Sequence, residues 1–281
     1  MSIDADAARN LDRILHSPSY RVAYQDVDFL SDARLRPVRM QLELLKPEMV
    51  FEEEGVASTI VVFGGTRVVE KAAAEKRLEL AKAQLADTPD DPRRQREVQR
   101  SERLLAKSRY YDVAREFGRL VSAACQTDGQ CDHVIVTGGG PGIMEASNRG
   151  AFDVDAKSIG LNIKLPMEQQ PNPYISPELC FQFHYFAMRK LHFLLRAKGL
   201  VVFPGGYGTL DELFDTLTLR QTGRMQEVPV IMFGREFWEN VIDFQYLADE
   251  GTIDDRDLDL FRYAETAEEA WQMILDFHGD A

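Results

Sequence analysis

The sequence predicts a doubly wound α/β fold, in which a parallel β-sheet carries helices on both faces. Apolar, β-branched runs recur along the chain at residues 58–63, 133–137, 158–162, 199–203 and 228–233. Helical patterns separate these runs, and strands without polar alternation are typical of a parallel sheet that is covered on both sides. Two of the runs end in glycine-rich loops that lead into helices, as expected for strand-to-helix turns in such a sheet.

The chain has 281 residues, which suits one large domain with additions. Residues 1–57 lack a strong hydrophobic period and contain three prolines, so we predict an N-terminal extension. A Rossmann-like nucleotide-binding catalytic domain is predicted over residues 58–281. Within it, residues 70–109 are rich in charged helix formers and contain two prolines, which predicts a helical insertion in the form of a hairpin. Its interleaved charges favour an exposed or oligomer-forming helix.

Composition restricts the classes of partner. The formal net charge of −13 argues against non-specific binding to nucleic acid. No apolar run approaches the ~20 residues that span a bilayer, and the acidic N-terminus lacks the layout of a signal peptide. The three cysteines form no C-x-x-C pair, so neither a disulfide framework nor a zinc site is expected. We predict a cytoplasmic protein without a membrane or nucleic-acid partner.

Two glycine loops are candidates for anion binding. The first glycine loop is residues 138–142 and the second glycine loop is residues 204–209. Backbone N–H groups at the start of a helix, together with its dipole, suit a phosphate. Tight turns alone also use glycine, but two such loops in one domain favour a ligand that carries phosphate and ribose. The candidate binding residues are Gly138, Gly139, Gly140, Gly142, Gly205, Gly206, Gly208 and Thr209.

Several other signals stay open on the residues alone. The first glycine loop lacks the G-x-G-x-x-G fingerprint, so the sequence gives only weak support for dinucleotide binding. Thr209 and Glu212 form a capping-box pattern, and on that pattern helix capping ranks above catalysis for Glu212. Arg189 is on a predicted helix, where a solvated or paired arginine is the common case. Arg67 follows a glycine turn and is as consistent with a surface arginine as with an anion ligand.

The combined motifs resemble those of the LOG ("lonely guy") phosphoribohydrolases, a family long labelled as lysine decarboxylases. Residues 204–212 resemble the family motif P-G-G-x-G-T-x-x-E, and residues 138–144 resemble its G-G-G-x-x-G-x-M loop. The pair Arg189 and Lys190 matches the R-K pair of the family at the expected spacing. The resemblance covers about residues 58–235. Two departures, Ala187 for the usual histidine and Asp211 for the usual glutamate, concern base specificity more than the reaction.

The resemblance implies hydrolysis of the N-glycosidic bond of a nucleoside 5′-monophosphate, either AMP or a cytokinin riboside 5′-monophosphate, to free base and ribose 5-phosphate. It implies that Arg189 and Glu212 are the catalytic pair and that Lys190 and Asp211 bind substrate. No metal or other cofactor is expected, and the family is typically a homodimer or larger homo-oligomer. The alternative function is a non-catalytic nucleotide or cofactor carrier of related fold. Amino-acid decarboxylation is a third and less favoured function. It would require pyridoxal phosphate bound to a lysine, and no lysine lies in a sequence context typical of such a site.

Overall fold

The computed structural model describes residues 4–126, 131–165 and 170–279. The chain divides into two compact units, Met1–Lys46 and Pro47–Ala281. The first unit contains helices α1 and α2 (Ala5–Leu15 and Val27–Ser31) and the first part of α3 (Arg36–Glu53). The predicted boundaries at residues 57 and 58 stay a prediction.

Within the first unit, local hydrogen bonds define the ends of the elements. Asp4 caps α1, because its carboxylate accepts hydrogen bonds from the backbone N–H groups of Asp6 and Ala7 at 2.9 and 2.8 Å. Further along, the guanidinium of Arg39 donates to two backbone carbonyl oxygens of the residues before α3, each at 2.7 Å. No residue of α1 is buried.

The second unit is built on a parallel sheet that has seven strands among the described residues, in the order β4-β3-β2-β1-β5-β6-β7. The strands are β1 Thr59–Phe63, β2 Val134–Thr137, β3 Ser158–Ile163, β4 Cys180–Phe183, β5 Ala197–Val202, β6 Val230–Phe233 and β7 Arg262–Ala264. All six strand pairings are parallel, which confirms the predicted doubly wound α/β fold. The sequence did not predict β4 and β7, the two edge strands.

Helices cover both faces of this sheet. They are α4 Lys71–Asp87, α5 Pro92–Lys107, α6 Arg109–Cys125, α7 Ile143–Phe152, α8 Phe186–Leu195, α9 Tyr207–Gln221, α10 Arg235–Val241, α11 Phe244–Asp249 and α12 Ala267–His278. The side chains of β1 alternate between two cores: Val61 and Phe63 belong to one, and Ile60 and Val62 belong to the other. Burial on both faces explains why the strands read as continuous apolar runs.

Helices α4 and α5 occupy most of the predicted insertion and pack against each other. Lys82 and Glu102 form an ion pair between them at 3.7 Å, and the amide oxygen of Gln84 accepts a hydrogen bond from Arg94. Asp91 caps α5 through the backbone N–H of Arg93 at 2.8 Å. No helix in the described part of the chain is both long enough and apolar enough to cross a bilayer.

The strand order places a topological switch point at β1. The chain runs outward from β1 through β2, β3 and β4 on one side, and through β5, β6 and β7 on the other. Connections that leave in opposite directions open a crevice beyond the carboxyl ends of the central strands, where ligands of open α/β sheets bind. Both predicted glycine loops follow central strands, β2 and β5, and therefore lie at this edge.

Candidate functional site

Three strand-to-helix loops meet at the switch point. The loop after β1 joins the other two, because the N–H of Gly65 donates to the carbonyl of Pro204 at 3.0 Å and the carbonyl of Gly65 accepts from the N–H of Ile143 at 3.3 Å. A cavity of about 410 Å³ opens between them. We call it the candidate cavity. Its walls comprise Phe63, Gly64, Gly65, Thr66, Gly138, Gly140, Met144, Asn162, Ile163, Leu165, Phe186, Arg189, Phe193, Gly206, Tyr207, Gly208, Thr209 and Glu212.

The first glycine loop is held by buried polar side chains. Thr137 accepts a hydrogen bond from the N–H of Gly139 at 3.0 Å and donates one to the amide oxygen of Asn148 at 2.7 Å. Asn172 donates from its backbone to the carbonyl of Gly139 at 2.8 Å and from its side chain to the carbonyl of Gly140 at 3.2 Å. The same side chain also donates to Asn148 at 3.0 Å. This network fixes the loop from beneath, so the loop forms a rigid wall.

Two glycines of this loop are required by the backbone itself. Gly139 and Gly142 have φ angles of +72° and +77°, a backbone conformation that residues with a side chain rarely adopt. A Cβ on Gly142 would lie 2.5 Å from the carbonyl oxygen of Gly65, and one on Gly139 would lie 2.5 Å from the Asn162 side chain. Neither glycine lines the candidate cavity, whereas Gly138 and Gly140 do. Within this loop, therefore, close packing explains two of the glycines and the cavity borders the other two.

The second glycine loop presents the start of α9 to the candidate cavity. Gly206 is the N-cap, and no side chain caps this helix. A Cβ on Gly206 or Gly208 would meet nothing within 4 Å, while one on Gly205 would collide with Thr209. Gly206, Gly208 and Thr209 line the cavity and Gly205 does not. The first N–H groups of a helix have no partner within it, so this end of the cavity suits an anion.

The capping-box interpretation of Thr209 and Glu212 is wrong. The helix begins at Tyr207, so Thr209 lies inside its first turn, and its N-cap is a glycine. Glu212 is instead a buried residue, one turn further along, that lines the candidate cavity. The pattern gave a wrong prediction because the helix begins two residues before Thr209, with Gly206 at the N-cap position.

Arg189 of α8 and Glu212 of α9 meet at the cavity. Their nearest side-chain atoms, Nη2 and Oε1, are 3.6 Å apart, and the side chains are only 15% and 8% exposed. This separation is that of an ion pair without a close hydrogen bond. The guanidinium also lies over the rings of Phe186 and Phe193, at 5.1 and 5.7 Å from their centroids. Among the described residues, the buried Nε of Arg189 has no hydrogen-bond partner.

Burial changes the acid–base properties of both groups. Burial raises the pKa of Glu212 to about 7, although the positive charges of Lys190 and Arg189 oppose the rise. Burial likewise lowers the pKa of Arg189 below its ordinary value. A carboxyl group with a pKa near neutrality can exchange a proton during a reaction at physiological pH. The arrangement therefore supplies an acid–base group beside a fixed positive charge.

Lys190 and Asp211 do not line the candidate cavity. The Nζ of Lys190 is 2.9 Å from Oδ1 of Asp211 and 3.7 Å from Oδ2 of Asp215. Lys190 lines a separate depression on the surface of α8 and α9, together with Leu191 and other apolar residues. The structure thus brings together Arg189, Glu212 and five of the predicted binding residues. It does not bring Lys190, Asp211, Gly139, Gly142 or Gly205 to the cavity wall.

The sequence missed several residues of the cavity. Phe186, Phe193, Ile163, Leu165 and Met144 form an apolar wall, and in sequence these residues cannot be distinguished from core positions. The buried supports Asn148 and Asn172 also went unnoticed, because their partners are distant in sequence. Asn162 had a usable signal, since it is a polar residue near the carboxyl end of a central strand.

The fold and the site define a Rossmann-like α/β protein with a cavity at its switch point. Residues 144–274 match the family model described as "Possible lysine decarboxylase". That match confirms the resemblance to the LOG family, which shares this label, and it includes Arg189, Lys190 and Glu212. The first glycine loop lies before the matched segment.

Two solved structures are also similar to parts of this chain. An X-ray structure from structural genomics, named TM1055, is 23% identical and covers 78% of this chain and 99% of its own, with a TM-score of 0.47. A molybdenum cofactor binding protein from the phototrophic bacterium Rippkaea orientalis is 18% identical and covers 60% of this chain and 87% of its own, with a TM-score of 0.42. Among curated proteins, no match was found.

Proposed function

We propose that the protein hydrolyses the N-glycosidic bond of a nucleoside 5′-monophosphate, AMP or a cytokinin riboside 5′-monophosphate, to the free base and ribose 5-phosphate. The observation that carries this proposal is the buried Glu212 beside Arg189 in a cavity that is bounded by both glycine loops. The proposal also rests on the family match, because the family resemblance assigns Glu212 and Arg189 to catalysis.

The two ends of the cavity suit the two ends of such a substrate. The start of α9, at Gly206, Gly208 and Thr209, offers backbone N–H groups and the positive end of a helix dipole to the phosphate. The apolar wall, which includes Phe186 and Ile163, offers a surface for a planar base. The ribose then lies between them, within reach of the carboxylate one turn into the helix.

The chemical step needs stabilisation of positive charge on the ribose. Cleavage of the bond between C1′ and the base nitrogen passes through an oxocarbenium-like cation, which the nearby Glu212 carboxylate stabilises. A water molecule attacks C1′ as that bond breaks, its proton passes to Glu212, and the departing base takes up a proton from solvent. Arg189 orients the carboxylate or holds a hydroxyl or phosphate group of the nucleotide. A pKa of about 7 leaves Glu212 partly ionised at neutral pH, as this role requires.

The test is incubation of the full chain with AMP and with N6-isopentenyl-AMP, with base release followed by chromatography. We expect Glu212→Gln to lower kcat by roughly 10²- to 10⁴-fold, in the range of general acid–base catalysis, while nucleotide binding persists. Asp215→Asn is the matched control, because it removes a carboxylate from the same helix outside the cavity wall. That variant should retain most of the activity.

Three outcomes would contradict the proposal. Folded protein that releases no base from any nucleoside 5′-monophosphate is not a hydrolase of this kind. Tight nucleotide binding without turnover would favour the carrier alternative. Release of carbon dioxide from lysine in the presence of pyridoxal phosphate would favour the lysine decarboxylase activity that the description of the matched family suggests.

A further inference from the structure

A second groove lies outside the candidate cavity, between α4, α5 and the loop after β1. Its volume is about 430 Å³, close to that of the candidate cavity, and the two share no lining residue. We call it the hairpin groove. Three arginines from three separate segments line it: Arg67 from the loop, Arg77 from α4 and Arg100 from α5. The small residues Ala74, Ala81 and Ser101 are its buried members.

Two of the three arginines of the hairpin groove have no ion-pair partner among the described residues. Within the described residues, neither Arg67 nor Arg77 forms an ion pair, unlike the nearby Lys71, Lys82 and Arg100. Arg100 faces Glu97, the one carboxylate of the described chain that lines the groove, at 3.5 Å. Both side chains are about half exposed, and a screened pair of this kind adds little stability. The chain has 46 acidic and 33 basic residues, so carboxylates are abundant for pairing. Two unpaired guanidinium groups in one groove of an acidic protein leave an anion-binding capacity that the fold does not use.

The net positive charge of α5 also favours anion binding at the hairpin groove. This helix has six arginine or lysine residues and two glutamates, against the acidic balance of the whole chain. Arg100 lines both the hairpin groove and a neighbouring shallow depression with Arg96 and Arg103. Positive charge concentrated at a concave surface raises the local concentration of anions.

We propose that the hairpin groove binds a polyphosphate chain, either as inorganic triphosphate or as the triphosphate group of a nucleotide. Guanidinium groups bind phosphate oxygens through paired N–H donors, and three of them from separate segments match a linear chain of several phosphates better than a single anion. The amide of Gln84 and the hydroxyl of Ser101 add neutral donors to the groove. The ligand displaces Glu97 from Arg100.

The experiment is calorimetric titration of the full chain with sodium tripolyphosphate, with orthophosphate and with ATP. We expect one triphosphate per chain in this groove, bound at least tenfold more tightly than orthophosphate, with an affinity that falls as salt is added. Arg77→Ala and Arg67→Ala should each weaken triphosphate binding roughly tenfold, the value of a charged hydrogen bond. Equal affinity for triphosphate and ATP would identify the phosphate chain as the whole ligand, and tighter ATP binding would identify a nucleotide.

Two controls separate this site from its alternatives. Arg93→Ala removes the same charge from the same hairpin, at a residue outside the groove, and should change the affinity less than twofold. Gly208→Asp places a carboxylate in the candidate cavity, where a Cβ meets open space, and should leave the triphosphate site intact. Absence of binding, equal losses in Arg77→Ala and Arg93→Ala, or loss of the site in Gly208→Asp would each overturn the proposal. These readouts do not depend on hydrolysis of a mononucleotide.

Discussion

The two glycine loops resemble each other in sequence and differ in physical role. In the first, Thr137 and Asn172 bond the backbone of the loop, and Asn148 bonds both of these side chains. Positive φ angles require two of its glycines. In the second, no side chain caps the helix that follows, and Gly206 and Gly208 face open space. In the first loop, packing requires two of the glycines and two others border the cavity, whereas the second loop exposes backbone donors. A glycine-rich motif therefore does not say by itself which of its residues touch a ligand.

The largest effect is expected when one glycine is substituted in each loop and the two variants are compared. Gly142→Ala forces a side chain into positive φ and within 2.5 Å of the Gly65 carbonyl, so we expect a loss of about 3 kcal/mol or more in the free energy of unfolding. Gly208→Ala fills open space inside a helix and should change stability by less than about 1 kcal/mol, while its methyl group raises KM for the nucleotide. Urea unfolding and steady-state kinetics measure the two effects. Similar stability losses in both variants would remove the distinction.

A smaller effect is expected beneath the first loop. Asn172→Ala deletes side-chain hydrogen bonds to Gly140 and Asn148 and leaves buried polar atoms unpaired, which should cost about 1–3 kcal/mol of stability. KM should rise, because the wall of the cavity loosens. Asn240→Ala is the control, since this exposed asparagine bonds only its own helix. If both variants lose the same stability, the network does not support the loop.

The smallest effect concerns the helix of the second loop. Lys190 lowers the pKa of Glu212, so Lys190→Met should raise that pKa above about 7 and reduce the ionised fraction at any given pH. The acidic limb of the kcat/KM profile should then move to higher pH by up to about one unit, with KM at high pH unchanged. Lys71→Met serves as the charge-matched control on α4. A raised KM at every pH, with no movement of the limb, would show that Lys190 binds the nucleotide directly.

The sequence predicts the fold because the central strands are buried on both faces and therefore read as apolar runs. The edge strands escape prediction: β7 has only three residues, and β4 alternates buried Phe181 and Phe183 with a partly exposed and an exposed residue. Propensity and period carry little information for such short segments.

The site is only partly predictable. Its glycines are visible as a motif, but local pattern assigns Glu212 to capping, and only the family resemblance assigns it to catalysis. The pairing of Arg189 with Glu212 brings together side chains from two different helices, α8 and α9, and no local rule gives that. The apolar wall is hidden for another reason, since a phenylalanine that faces a cavity and one that faces the core look alike in sequence.

The place of β1 at the centre of the sheet also means that both of its neighbours lie far away in the sequence. This strand, at residues 59–63, pairs with β2 at residues 134–137 and with β5 at residues 197–202. During synthesis, β1 emerges from the ribosome before β2 and β5 have been made. Its apolar segment Thr-Ile-Val-Val-Phe therefore has no strand to pair with at that stage. Contacts of such long sequence separation form slowly, and unpaired apolar strands aggregate. The helical hairpin α4–α5 is the next regular segment of the chain and is held mainly by contacts between its own two helices, so we expect it to form before β1 meets its partners.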